Sequence, residues 1–392
     1  MLEQHQHQQV IDLCRQLVQA PSLAGREQDA ATIAATWMQT LGYDHVETDA
    51  YGSVIGRIQG DTGAGPTLHF DGHLDTVPAT ALDQWTHAPY GADIDAEHIW
   101  GRGSTDMKGP VAAMLCAAAF VPRERLRGAI TVSASVAEEE LEGAALQAIL
   151  TRYPADLVVI GEATMLQVGI GHKGRAGIRI TTHGRPAHSA VPHAGDNAVY
   201  RMIAATQALR VLALPDDAML GPAVMELVEF VSHPYPGTSI VPDRCTVRWD
   251  RRLVRGETRE SVLAHINAAL AAVDGYAAGK VTAEYLAVGV PCYTGATLTK
   301  SQDFHPAWEI GENSALVQAA LASTAATGIA PATRSVPYCT NGSGSAGELG
   351  IPSIILGPGD PAHLHIIDER IAIDQLVRGT VAYMGLIERL LG

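Results

Sequence analysis

This chain has no CxxC pair, no apolar run long enough to cross a membrane, no internal repeat, no low-complexity segment and a shortage of basic residues. Each absence narrows the field. Its five cysteines, Cys14, Cys116, Cys245, Cys292 and Cys339, are odd in number and far apart. They do not read as a disulfide framework, and free buried thiols in a reducing compartment are expected instead. The first residues, MLEQHQHQQ, are polar and carry no leader-type apolar stretch. A soluble cytoplasmic protein is the expectation. Lys and Arg number 27 against 42 Asp and Glu, a formal net charge of −15. Such an acidic surface repels phosphate backbones, so nucleic acid is not an expected partner, and no membrane partner is expected either.

What is present is globular. Of 392 residues, 47% are hydrophobic and 18% charged, which suits a large core and, at this length, two domains. Helical spacing of Val10, Leu13, Cys14, Leu17 and Val18 predicts an opening helix, ended by Pro21-Ser22, and a second helix covers 29–41. Strand-like runs follow at 54–58, 67–70, 130–137 and 157–160, with an Ala-rich helix at 111–120. Alternating strands and helices predict an α/β sheet covered on both faces. After Gly174 the texture changes. Strands at 178–182 and 246–252 and helices at 197–212 and 257–273 predict a small inserted α+β domain with a one-sided sheet. The expected division is 1–174, 175–288 and 289–392. The last part contains a helix at 314–326, a strand at 351–356 and a closing helix with Asp374 as N-cap.

Five short stretches carry the chemistry: HFDGHLD (69–75), GRGSTDMKG (101–109), VAEEELEG (136–143), VIGEAT (159–164) and AHLHIIDE (362–369). Each places His, Asp or Glu just beyond an apolar segment. In α/β sheets the binding crevice lies past the carboxyl ends of the strands, so such residues converge. Together they supply the ligands that two divalent ions need, plus one general base, and the chain reads as a two-metal hydrolase.

The ordered set GHLDTVP, GRGSTDMKG, EEELEG, GEAT and HIIDE resembles the M20 metallopeptidase/deacylase family, and GRPAHSAVPHAGDNAV resembles its lid or dimerisation domain. The resemblance spans nearly the whole chain and is nearest to the acetylornithine deacetylase and succinyl-diaminopimelate desuccinylase branch. It implies an α/β zinc-exopeptidase-like catalytic domain with an inserted, ferredoxin-like α+β lid, and a homodimer formed through that lid. It implies two divalent metal ions, zinc first and cobalt or manganese as alternatives. His73, Asp106, Glu140, Glu162 and His365 are the implied ligands, with Asp106 bridging. Asp75 is the implied carboxylate that orients His73. Within Glu138-Glu139-Glu140 the alignment makes Glu139 the general base and Glu140 the ligand, and a shift of one position is the alternative. His365 is preferred to His363 because His, three residues, then Glu is the family pattern. His188 resembles a lid histidine that donates to the oxyanion, commonly from the other subunit; a capping or dimer-contact histidine is the other reading. Asp250-Arg251-Arg252 also matches a family pattern and reads first as structural, with Arg252 binding a substrate carboxylate as the alternative; the loop Thr340-Asn341-Gly342 is a candidate to border substrate. The implied reaction is hydrolysis of an amide beside a carboxylate, first that of an N-acyl amino acid. A dipeptidase or carboxypeptidase is the runner-up, and a metal-binding scaffold without catalysis is the rival from another class.

Overall fold

Near-continuous apolar runs mark strands buried on both faces. In the computed structural model, which describes residues 2–392, such runs build the centre of a nine-stranded sheet. Ala129–Ser135, Thr67–His73, Leu157–Ile160 and Ser353–Ile355 lie side by side and parallel. Antiparallel strands flank them, Val54–Gln59 and His45–Thr48 on one side, Val168–His172 and Trp308–Glu309 on the other. Thr333–Val336 runs parallel to Val168–His172. The fold is α/β.

The helix Gly109–Phe120 is apolar all round and buried from Gly109 to Ala118, as a helix enclosed within the structure must be. The closing helix, Ile373–Leu391, is amphipathic; Leu376, Tyr383, Leu386 and Leu391 are buried, and the Tyr383 hydroxyl donates to the Leu356 carbonyl at 2.6 Å. Asp374 is not its N-cap. Ala372 holds that position because the short strand Arg370–Ala372, paired with His98–Trp100, runs straight into the helix. The Asp374 carboxylate instead accepts from Arg378 one turn on, at 2.7 and 2.9 Å.

The chain divides into two compact units. The unit just described runs up to His172 and takes in Gly289–Thr299 and Trp308–Gly392. The other comprises Lys173–Val288 and Lys300–Ala307. It is an antiparallel sheet ordered Val224–His233, Arg244–Leu253, Gly174–His183, Val281–Tyr285. The helices Ala198–Arg210 and Arg259–Leu270 pack on it through Met202, Leu209 and Ile266 against Ile178, Ile180 and Trp249. Residues 300–307 depart from the expected boundary: Phe304 and His305 pair with Ala176 and Arg175, and Asp303 is fully buried. Among the described residues no helix is long and apolar enough to cross a membrane. All five cysteines are free and buried.

Candidate metal centre

Three parallel strands ending at one level carry the site. Asp71 sits in register with Ser133 on one neighbour and Ile160 on the other. His73 therefore closes the first strand, Glu138 and Glu139 lie in the turn after the second, and Glu162 follows the third. Glycine precedes both His73 and Glu162 for a packing reason. A Cβ at Gly72 would lie 2.7 Å from the Met114 methyl and 2.8 Å from that of Met107; at Gly161 the distances are 2.8 and 2.9 Å. Met107 follows Asp106 directly, so the same contact that demands glycine on the strands seats the Asp106 turn against them. The Asp106–Met107 peptide is cis.

His73 Nε2 lies 3.2 Å from Asp106 Oδ1, 3.5 Å from Glu162 Oε1 and 3.8 Å from Glu138 Oε2. His365 Nε2 lies 3.0 Å from Asp106 Oδ2 and 3.2 Å from Glu139. Asp106 thus turns each carboxylate oxygen toward a different imidazole. The structure brings together His73, Asp106, Glu139, Glu162 and His365, and adds Glu138.

Glu140 does not join them. It is exposed, whereas Glu138 is only 6% exposed and Glu139 is largely enclosed. The cause is the turn itself: Ala137 adopts φ +57°, and the bend directs the first two glutamates inward and the third to solvent. The alternative register, one position earlier, is the one the geometry follows.

Asp75 also acts differently from expectation. The Nδ1–H of His73 donates to the Asp75 backbone carbonyl at 2.8 Å, while the Asp75 carboxylate stands 3.7 Å away. That carboxylate is engaged by the N–H groups of Glu138 and Glu139, at 3.0 and 2.9 Å. With Nδ1 carrying the proton, the Nε2 lone pair of His73 faces the acids, as a metal ligand requires.

The electrostatics call for cations. Among the described residues, Asp106, Glu138, Glu139 and Glu162 have only His73 and His365 as ion-pair partners. Burial raises Glu138 well above the usual carboxylate range, and it raises Glu139 to about 7, helped by the charge of Asp106. Glu162 is raised by the same two causes. Asp106 moves down despite its burial, because both imidazoles bond to it. His365 rises to about 10 through Asp106 and then Glu139. Burial opposes a charge on His73, but Asp106 and Glu162 outweigh it and raise it. Four buried carboxylates facing two imidazoles are costly to leave uncompensated, and two divalent cations would balance them. Two groups of three donors, His73/Glu138/Glu162 and His73/Asp106/Glu139, each have their ligand atoms within 4.8 Å of one another. Carboxylate oxygen and imidazole nitrogen are donors that zinc, cobalt and manganese accept, so the residues fit such ions.

Two further residues hold the site. Glu369 Oε1 accepts the N–H groups of Thr105 and Asp106, at 2.9 and 3.0 Å, and its Oε2 meets buried Arg102 at 2.5 Å. In the sequence Glu369 serves only to select His365 over His363, and its part in holding the Asp106 turn comes from the structure. Asn341 is 1% exposed, too buried to border substrate. Its Nδ2 donates to Asp71 at 2.7 Å and Ser135 at 3.1 Å, and its Oδ1 accepts the Gly143 N–H at 2.7 Å. His363 stands outside the cluster. Arg252, in the other unit, pairs with Asp250 at 3.1 Å. His188 is exposed there, and its Nδ1 accepts the Ala190 N–H at 3.0 Å.

Comparison with known proteins now decides the family. A sequence model of "Peptidase family M20/M25/M40" matches residues 69–389. The chain belongs to that family. It is a metal-dependent hydrolase of the amidohydrolase/peptidase kind. It is 32% identical over 380 residues to the uncharacterized protein YgeY of Escherichia coli (strain K12), covering 95% of this chain and 92% of that one. It is 29% identical over 294 residues to succinyl-diaminopimelate desuccinylase of Rhodospirillum rubrum, covering 68% of this chain and 74% of that enzyme. Among solved structures it resembles the Bacillus subtilis YXEP protein, described as a dinuclear metal-binding peptidase from the M20 family. The TM-score is 0.72 at 16% identity, over 98% of each chain. At that identity the likeness speaks to the fold.

Proposed function

We propose that this hydrolase cleaves the amide bond of an N-acyl amino acid using two zinc ions. His73 and Glu162 would hold one and His365 and Glu139 the other, with Asp106 shared. The single observation that carries this reading is the Asp106 carboxylate, whose two oxygens face two imidazoles at 3.2 and 3.0 Å. When bound, such ions polarise a carbonyl and lower the pKa of water to about 7.

The base is Glu138. It is left over once each imidazole has its carboxylate, it is buried, and it stands 3.8 Å from His73 Nε2 on the face the ligands share. Its role is to take the proton of the attacking water and pass it to the departing amine. Asp75 holds the Glu138 and Glu139 backbone so that adjacent side chains keep separate tasks. His188, with Nδ1 accepting a backbone N–H, keeps its proton on Nε2 when neutral, which suits a donor to the developing oxyanion.

The desuccinylase relative supports an acyl group on an amino acid as the substrate class. A panel of N-acetyl and N-succinyl amino acids and dipeptides, assayed with zinc, cobalt and manganese, tests it. Turnover of acyl amino acids with about two metals per chain is the expected result. Turnover of dipeptides alone replaces the substrate class, and absence of bound metal refutes the centre.

A further inference from the structure

Glu27 is a buried carboxylate that the chemistry above does not use. It sits just before the helix Gln28–Thr40 and is fully enclosed. Its Oε1 accepts two backbone N–H groups, that of Gly25 at 3.0 Å and that of Ala137, 110 residues away, at 3.1 Å. Its Oε2 is buried with no hydrogen-bond partner. The loop that presents Glu27 is itself fixed: Gly25 has φ +79°, and a Cβ there would collide with the Pro291 carbonyl oxygen.

Three consecutive backbone donors in the acidic turn are therefore captured by two carboxylates. Ala137 goes to Glu27, and Glu138 and Glu139 go to Asp75. Ala137 is the residue at φ +57°. A side chain other than glycine holds that conformation only when its surroundings over-determine it. The bend at Ala137 decides which glutamates point inward, so whatever holds Ala137 also sets the division of labour between Glu138 and Glu139.

We infer that Glu27 is a positioning residue for the base-and-ligand pair, acting through the Ala137 N–H as a hydrogen-bond acceptor. It touches neither metal nor substrate. The inference rests on the assignment of Glu138 and Glu139 given above and deepens it.

The test compares Glu27→Ala, Glu27→Asp and Glu27→Gln in the full-length chain. The first removes the acceptor, the second shortens its reach by one methylene, and the third keeps an amide oxygen in place of Oε1. Cobalt(II) is titrated into the metal-free proteins and followed by its visible absorption, with kcat and KM measured in parallel. Glu27→Ala and Glu27→Asp are expected to weaken uptake of one of the two cobalt ions and to lower kcat, by about 10- to 100-fold each, as loss of a supporting hydrogen bond behind a metal site does. KM should change little, and Glu27→Gln should stay within about threefold of the parent. If Glu27→Ala does not fold, Glu27→Asp and Glu27→Gln still decide the matter. Parent-like cobalt spectra and affinities in Glu27→Asp overturn the inference, as does equal impairment of Glu27→Asp and Glu27→Gln, which would make charge rather than acceptor geometry the cause. A parent protein that binds two cobalt ions but turns over no acyl amino acid refutes the proposed substrate class and leaves the cobalt comparison fully informative.

Discussion

Replacing neighbouring glutamates one at a time separates base from ligand. Glu138 is 6% exposed and Oε2 stands 3.8 Å from His73 Nε2; Glu139 meets His365 at 3.2 Å. Glutamine is nearly isosteric with glutamate, so Glu138→Gln should leave the turn and its ligands in place while removing the proton acceptor. General-base catalysis contributes about 10²- to 10⁴-fold, or roughly 3 to 5 kcal/mol of barrier. The loss should fall on kcat, with about two metal ions per chain retained. Glu139→Gln should behave in the opposite order. The amide is a weaker ligand than a carboxylate, so one ion should dissociate about 10- to 100-fold more readily, by analogy with losses at metal sites. Activity should recover in part at high metal concentration. Metal content by plasma emission spectrometry, cobalt titration and steady-state kinetics on an N-acyl amino acid resolve the two patterns. A Glu138→Gln protein that loses an ion, or a Glu139→Gln protein that keeps both ions and shows no turnover, would refute the assignment. Glu140→Gln should be close to parental in both measurements, since its side chain is exposed.

Other expectations follow from supporting residues. Asn341→Ala should lower stability by about 2 to 4 kcal/mol in urea denaturation, because it leaves the buried Gly143 N–H without its acceptor and leaves Asp71 Oδ2 without the Asn341 donor, with Ser133 still bonded to Oδ1. Glu369→Gln places an amide N–H₂ against Arg102 or against the two backbone N–H groups; metal affinity should fall about 10-fold or more in cobalt titration. Burial, then the Asp75 charge, raises the folded-state pKa of Glu27 from 4.5 to about 7. The folded chain therefore holds a proton there that the unfolded chain has released, and this contribution to stability is complete below pH 4.5 and lost as pH rises to 7. In metal-free protein, the parent should lose up to roughly 3 kcal/mol relative to Glu27→Gln across that window. A parallel course of the two stability curves would contradict the shift.

The sequence showed most of what a parallel sheet imposes. His73 and Glu162 end apolar runs, and strand direction alone carries them to one edge. Asp106 and His365 were legible only through the family resemblance of their motifs, since both lie in short irregular segments with no periodicity of their own. The Glu138-Glu139-Glu140 run failed for a physical reason. Three identical side chains carry no register of their own, and the deciding fact, φ +57° at Ala137, belongs to a residue type that rarely adopts it. Asp75 was found at the right place with the wrong partner, because a carbonyl and a carboxylate of one residue compete for one imidazole N–H. Asn341 looked like a loop residue open to substrate; its burial comes from contacts with Asp71 and Gly143, hundreds of residues away in the chain. The segment 300–307 could not be assigned by composition, since only its pairing with Ala176 and Arg175 places it.

His365, Glu369 and Asn341 all belong to the last fifty-two residues, whereas the strands that carry His73, Glu138, Glu139 and Glu162 are complete by Glu162. During synthesis a ribosome therefore extrudes one half of the centre long before the other. An incomplete nascent chain holds acids with no second imidazole to face them and no tether on Gly143. The centre is whole only once the segment that carries Asn341, His365 and Glu369 has joined those strands.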